Sequence, residues 1–203
     1  MFEIVQAPNE TTSQGIELFL AGGISNCPNW QNEIVEKLIN DPRFDEYKDS
    51  NQKIIVFNPR CKEIPEENPQ IIWEYKKLKS ANIISFWFSF GSFNPITLFE
   101  YGSHLKSTKD IIVGCHPEYV RKNNVVLQTK LERPDITVNE TFENFYEEIV
   151  NTLINKIKNE EIIPDIYSKD FQKYLTHQVN QIQDQLVKLK NLGIDFEEKL
   201  NEE

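Results

Sequence analysis

Two glutamates stand among apolar neighbours in this chain. In the run Asn94-Pro-Ile-Thr-Leu-Phe-Glu-Tyr-Gly-Ser-His104, the residues Ile96, Phe99, Glu100 and Ser103 recur at i, i+3, i+4 and i+7, the spacing of a single helix face. That face is expected to look at the core, which puts Glu100 where an apolar residue belongs. Burial there raises a carboxyl pKa, a common condition of functional acids; also open is a glutamate turned to the helix flank to bond a tyrosine or a backbone group. Glu74 repeats the pattern one helix earlier, beside the expected core positions Ile71 and Leu78. Two such acids on neighbouring helices can converge. Paired carboxylates suit cleavage of a glycosidic bond, one attacking or stabilising the anomeric carbon while other groups assist the leaving group. Two solvated flank acids are the competing reading.

Other chemistry is less strongly signalled. His104 follows Glu100 by four residues and shares its side or simply packs, and His116 before Pro117 starts a turn. Arg60, in Asn58-Pro-Arg60, sits where it can meet a carboxylate or phosphate, or close an internal salt bridge. The cysteines Cys27, Cys61 and Cys115 are odd in number, far apart and without a CxxC, so reduced thiols are expected rather than disulfides or a zinc site. Neither a GxGxxG fingerprint nor a GxxxxGK[ST] loop occurs, which argues against ordinary dehydrogenases and NTPases. No metal or other cofactor is expected.

These residues must be positioned by an α/β frame. Short β-rich runs at residues 16–21, 53–57, 83–88, 111–114 and 125–128 alternate with stretches of helical spacing, which predicts a five-stranded parallel sheet, doubly wound in the Rossmann or flavodoxin manner. Asn68-Pro69 and Asn94-Pro95 each offer a capping side chain followed by proline at the first helical position. A further helix is expected after Pro28. Another is expected over residues 139–159, with Phe142, Tyr146, Ile149, Leu153 and Ile157 on one stripe. Gly22 and Gly23 follow the first strand, Gly91 the third, and Gly114 closes the fourth. They mark the carboxyl edge of the sheet, where open α/β folds bind ligands, or they relieve turn geometry.

The domain expected over residues 1–160 is followed by a helical extension at 161–203. There Leu175, Val179, Ile182, Leu186 and Leu189 recur at four and three spacing, either covering the chain's own domain or pairing with another helix. The 203 residues carry 39% hydrophobic and 11% aromatic content, enough for a real core. The net charge of −10 repels phosphate backbones and excludes a sequence-independent nucleic-acid binder, while a small ligand remains allowed. With no apolar run of ~18 residues and no basic-then-apolar leader pattern, a cytoplasmic, membrane-free location is expected.

Phe19-Leu-Ala-Gly-Gly23, Trp73-Glu74 and Asn94-Pro-Ile-Thr-Leu-Phe-Glu-Tyr-Gly102, in this order, resemble the nucleoside 2-deoxyribosyltransferase-like family. Gly114-Cys-His-Pro-Glu-Tyr-Val-Arg-Lys-Asn-Asn-Val125 is similar to the branch with a longer fourth loop. The resemblance covers roughly residues 16–158. It implies a Rossmann-like fold and cleavage of the N-glycosidic bond of a nucleoside or nucleotide by a nucleophilic glutamate, at Glu100. Transfer of the sugar to a base or to water would follow. It implies that Glu74 stands where an aspartate helps protonate the base, that Asn94 replaces an acid near the sugar hydroxyls, and that Phe19 replaces a tyrosine assisting the nucleophile. Phe19, Ala21, Gly22, Gly23, Arg60, Ser92 and Asn94 are then the expected substrate contacts, with Trp30, Trp87 or Phe88 able to stack a base or fill the core. Relatives that complete the pocket across a subunit interface imply a homo-oligomer. Two other activities stay open: hydrolysis of NAD-type dinucleotides, and a silent nucleotide-binding or interaction module.

Overall fold

The structure, a computed structural model, describes residues 1–50, 52–61, 69–162, 176–177 and 179–180. The chain divides into two compact units, residues 1–157 and 158–203; the fold below is that of the first. Asn68, Leu175, Ile182, Leu186 and Leu189, with the helical seam and the cap expected from them, lie outside the described residues.

The strands are β1 (Phe2–Gln6), β2 (Ile16–Gly22), β3 (Ile54–Asn58), β4 (Ile83–Phe88), β5 (Asp110–Cys115) and β6 (Val138–Asn139). The helices are α1 (Trp30–Asn40), α2 (Pro69–Ser80), α3 (Pro95–His104), α4 (Lys122–Glu132) and α5 (Phe142–Ile162), with a 3-10 turn at Pro42–Tyr47. All strands are parallel in the order β1-β3-β2-β4-β5-β6. The sheet therefore has six strands rather than five. Residues 125–128, expected as a strand, lie within α4; the pair Val125-Val126 imitates a β run, but only Val125 and Thr129 turn inward there. The edges are instead formed by β1 and by the two-residue β6.

Alternation along each strand divides the core. Ile16, Leu18 and Leu20 of β2 face one layer, with Trp30, Ile34 and Leu38 of α1 and Phe145, Ile149 and Leu153 of α5. Phe19 and Ala21 face the other, with Trp73 and Leu78 of α2, Tyr101 of α3 and Val125 of α4. Burial of each such large apolar side chain contributes about 1.5–3 kcal/mol. Central strands β3 and β4 are buried along their whole length, as strands covered on both faces must be. Among the described residues no helix is long and apolar enough to cross a membrane.

Candidate active site

β2 and β4 are neighbours in the sheet, registered so that Ala21 pairs with Phe86 and Gly22 with Trp87, yet the helices that follow them pack on opposite faces. The chain parts at this switch point, and a crevice opens beyond the carboxyl ends of the strands. It holds a cavity of about 240 Å³. Phe19, Ala21, Gly22, Gly23, Ile24 and Ser25 line it from β2 and its loop, Pro59, Gln70 and Glu74 from β3 and α2, and Ser92, Asn94, Ile96, Thr97 and Glu100 from α3 and the loop before it. Of the nine residues expected at the site, eight lie on this wall. Arg60 does not: its Nε donates to Gln31 Oε1 at 2.7 Å and its Nη2 to the Pro28 carbonyl at 2.5 Å.

The route by which Glu100 reaches the cavity differs from the expected one. The core-facing residues of α3 are Thr97, Tyr101 and His104, whereas Ile96 and Phe99 are 64% and 74% exposed. Glu100 occupies the border between these stripes, where a helical side chain looks along the sheet edge into the crevice. The same correction applies to α2: Trp73 and Leu78 are buried, but Ile71, Ile72 and Tyr75 point outward. His104 turns inward, away from the cavity lining, with Lys79 and Lys109 near it. His116 accepts a hydrogen bond from the Glu118 amide in a turn.

Asn94 is not a helix cap in the expected sense. It adopts a left-handed backbone, φ 44°, and makes no side-chain cap hydrogen bond. Pro95 still starts the helix, because its fixed φ suits the first position and it brings no orphan N–H. Freed from capping, the Asn94 side chain turns toward Gly23 and Cys27.

The two acids are electrostatically distinct. Burial, reinforced by the like charge of Glu74, pushes the Glu100 carboxyl up to about 8. Burial also raises Glu74, against the opposing effect of Gln70, whose Nε2 donates to Glu74 Oε1 at 2.8 Å and to the Pro59 carbonyl at 2.9 Å. Glu100 has no hydrogen-bond partner among the described residues. Glu100 therefore holds its proton to well above the ordinary carboxylate range, while Gln70 stabilises the ionised Glu74. Gln70 was not among the expected site residues; its position one helical turn before Glu74 was the available signal.

The glycines are required by close approach. A Cβ on Gly22 would stand 2.6 Å from the Trp30 ring and from the Trp87 carbonyl, and one on Gly23 would strike Asn94 Oδ1 and Cys27 Sγ. The aromatics expected as possible base-stacking groups are core instead: Trp30 and Trp87 pack on Phe145, and Phe88 on Tyr101 and Tyr119. Phe19 is 1% exposed, tilted against Trp73, and brings no hydroxyl to the wall it shares.

A sequence model of the family described as nucleoside 2-deoxyribosyltransferase like matches residues 15–119, a span containing all of the cavity wall. No curated protein matches the chain.

Proposed function

The chain belongs to the nucleoside 2-deoxyribosyltransferase-like family, and from that premise we propose that it cleaves the N-glycosidic bond of a nucleoside or nucleotide with Glu100 as nucleophile. The observation that carries this reading is the pairing of two glutamates, unequal in their hold on protons, on one small cavity wall. In the first step a Glu100 carboxylate oxygen bonds to C1′ as the C1′–N bond breaks, and the electron pair leaves with the base nitrogen. Both acids bear on the proton count. One proton shared by the pair suffices: it rests on Glu100, and its transfer to Glu74 leaves Glu100 ionised for attack and puts the proton within reach of the departing base. In the second step an acceptor base or water attacks C1′, breaks the ester to Glu100 and returns a proton to Glu74. No step draws on a cofactor.

Phe19 and Asn94, where the family resemblance implies a tyrosine and an acid, bear on substrate choice rather than on this chemistry. The dry wall of Phe19 sustains the desolvation that sets Glu100. The outward apolar residues of α2 and α3 support a homo-oligomeric reading. Ile71, Tyr75, Ile96 and Phe99 are each more than 60% exposed, and Ile96 belongs to the cavity wall itself. A second copy laid on this face would cover the mouth of the site. Residues 161–203 then form an extension outside the catalytic domain.

The test is chromatography of deoxynucleosides, ribonucleosides, their 5′-monophosphates and NAD after incubation with wild type and Glu100→Gln. Free base or a newly paired nucleoside formed by wild type alone is the expected result. Nicotinamide release would redirect the reading to dinucleotide hydrolysis, and an unchanged pool from folded protein would favour a silent ligand-binding module.

A further inference from the structure

Asn94 is 5% exposed and lines the cavity, yet its Nδ2 has no hydrogen-bond partner. A buried unpaired amide N–H is costly enough that native proteins rarely leave one without a purpose. The other end of the same amide is engaged: Cys27 Sγ donates to Asn94 Oδ1 at 3.4 Å. The Asn94 backbone N–H donates to Ser92 Oγ, also at 3.4 Å. Gly23 lets this pair sit close, because a Cβ there would displace both Asn94 Oδ1 and Cys27 Sγ. The left-handed backbone at Asn94, tolerated by asparagine better than by most residues, is what points this amide away from the helix end and toward Cys27.

We propose that Cys27 is a positioning residue that fixes the Asn94 amide with its carbonyl turned inward and its N–H₂ free to donate to an acceptor oxygen of the bound substrate. This deepens the reading of the cavity as the substrate site and rests on it. A carboxylate at this position could only accept; the amide, with its carbonyl already occupied, is left as a donor. The substrate therefore presents a lone pair here, on a phosphate oxygen or a hydroxyl. The thiol itself takes no part in bond making. Its burial holds it in the neutral S–H form that the contact to Oδ1 needs.

The experiment is calorimetric titration of the full chain with 2′-deoxyadenosine and with its 5′-monophosphate, together with turnover of each, for wild type, Cys27→Ala, Cys27→Ser and Asn94→Asp. Thermal unfolding of each variant certifies the fold. Cys27→Ala is expected to weaken binding about tenfold and raise KM with kcat nearly unchanged, whereas Cys27→Ser, whose hydroxyl can still donate to Oδ1, stays within about threefold of wild type. Asn94→Asp weakening only the monophosphate identifies a phosphate oxygen; weakening of both probes identifies a sugar oxygen. Equal binding by wild type, Cys27→Ala and Asn94→Asp overturns the inference. Wild type that binds with these differences but turns nothing over contradicts the proposed chemistry and leaves the inference standing, while wild type that binds neither probe overturns both.

Discussion

Glu100 carries its charge at a cost that its removal should reveal. Its carboxyl lies near 8 in the folded protein against an ordinary value near 4.5, so the folded state binds a proton that the unfolded chain has already released. The penalty is absent below about pH 4.5, grows as pH rises toward 8, and is constant above that. Glu100→Gln should therefore abolish turnover while raising stability by about 1–3 kcal/mol at pH 8, with no gain at pH 4; urea unfolding at the two pH values checks this. A variant destabilised at pH 8 would mean that the ionised carboxylate is held by stabilising contacts that offset its burial. Glu74 adds the like charge that helps hold the proton on Glu100. Glu74→Gln should consequently move the acid limb of kcat/KM to lower pH as well as reduce its maximum. The residue types at this site were legible in the sequence, because a glutamate amid Ile96, Phe99 and Tyr101 is conspicuous. The geometric reason was not. Glu100 reaches the cavity from the border of two stripes, which a pattern that assigns every apolar residue to the chain's own core cannot distinguish.

At the scale of elements, the central strands were readable for the reason that makes them central. β2, β3, β4 and β5 are near-continuous apolar runs, as burial on both faces requires. The edge strands carried no such mark: β1 mixes Glu3 and Gln6 with its apolar residues, and β6 is two residues long. The inward faces of α2 and α3 differ from those expected, and in the same direction. Ile71, Tyr75, Ile96 and Phe99 are apolar but exposed, so the apolar pattern of these helices combines a core face with a second face that the monomer leaves uncovered. A different set of contacts ties α5 to the end of α1. Asp41 receives Arg43 through Nη2 at 2.7 Å and the Tyr146 hydroxyl at 2.7 Å, and Arg43 continues to Glu147. These bonds, the Arg43 guanidinium foremost, hold the Asp41 carboxyl down at about 2. The depressed value means that this stabilisation is complete above the ordinary carboxylate value near 3.8 and is lost as pH falls through 2. Asp41→Ala should cost about 2–3 kcal/mol at pH 7, measured by urea unfolding, and the difference from wild type should shrink below pH 3. An undiminished difference at pH 2 would assign the loss to packing alone.

For the assembled protein, the exposed face of α2 and α3 is where the proposed second copy would close the site. An apolar surface of this kind beside a binding cavity is expected to be covered in solution, and the symmetric solution places the same face of a second copy on it. Analytical ultracentrifugation should show a dimer or a larger even assembly for wild type. Phe99→Asp, which puts a charge into the proposed contact, should shift it toward monomer and raise KM. A wild-type monomer at working concentration would contradict this closure. The net charge of −10 spread over each copy opposes assembly at low ionic strength, so salt should strengthen association rather than weaken it.

If Glu100 forms the bond to C1′, the glycosyl ester it leaves on the protein can be weighed. Incubation with a 2′-fluoro-arabinosyl nucleoside, whose electron-withdrawing fluorine slows both steps through the oxocarbenium-like transition state, followed by proteolysis and mass spectrometry, should show the fluorosugar attached to the peptide at Glu100 and free base released in equal amount. The adduct should vanish in Glu100→Gln. A fluorosugar attached at Glu74, or base release with no adduct on any residue and no loss in Glu100→Gln, would show that Glu100 is not the nucleophile.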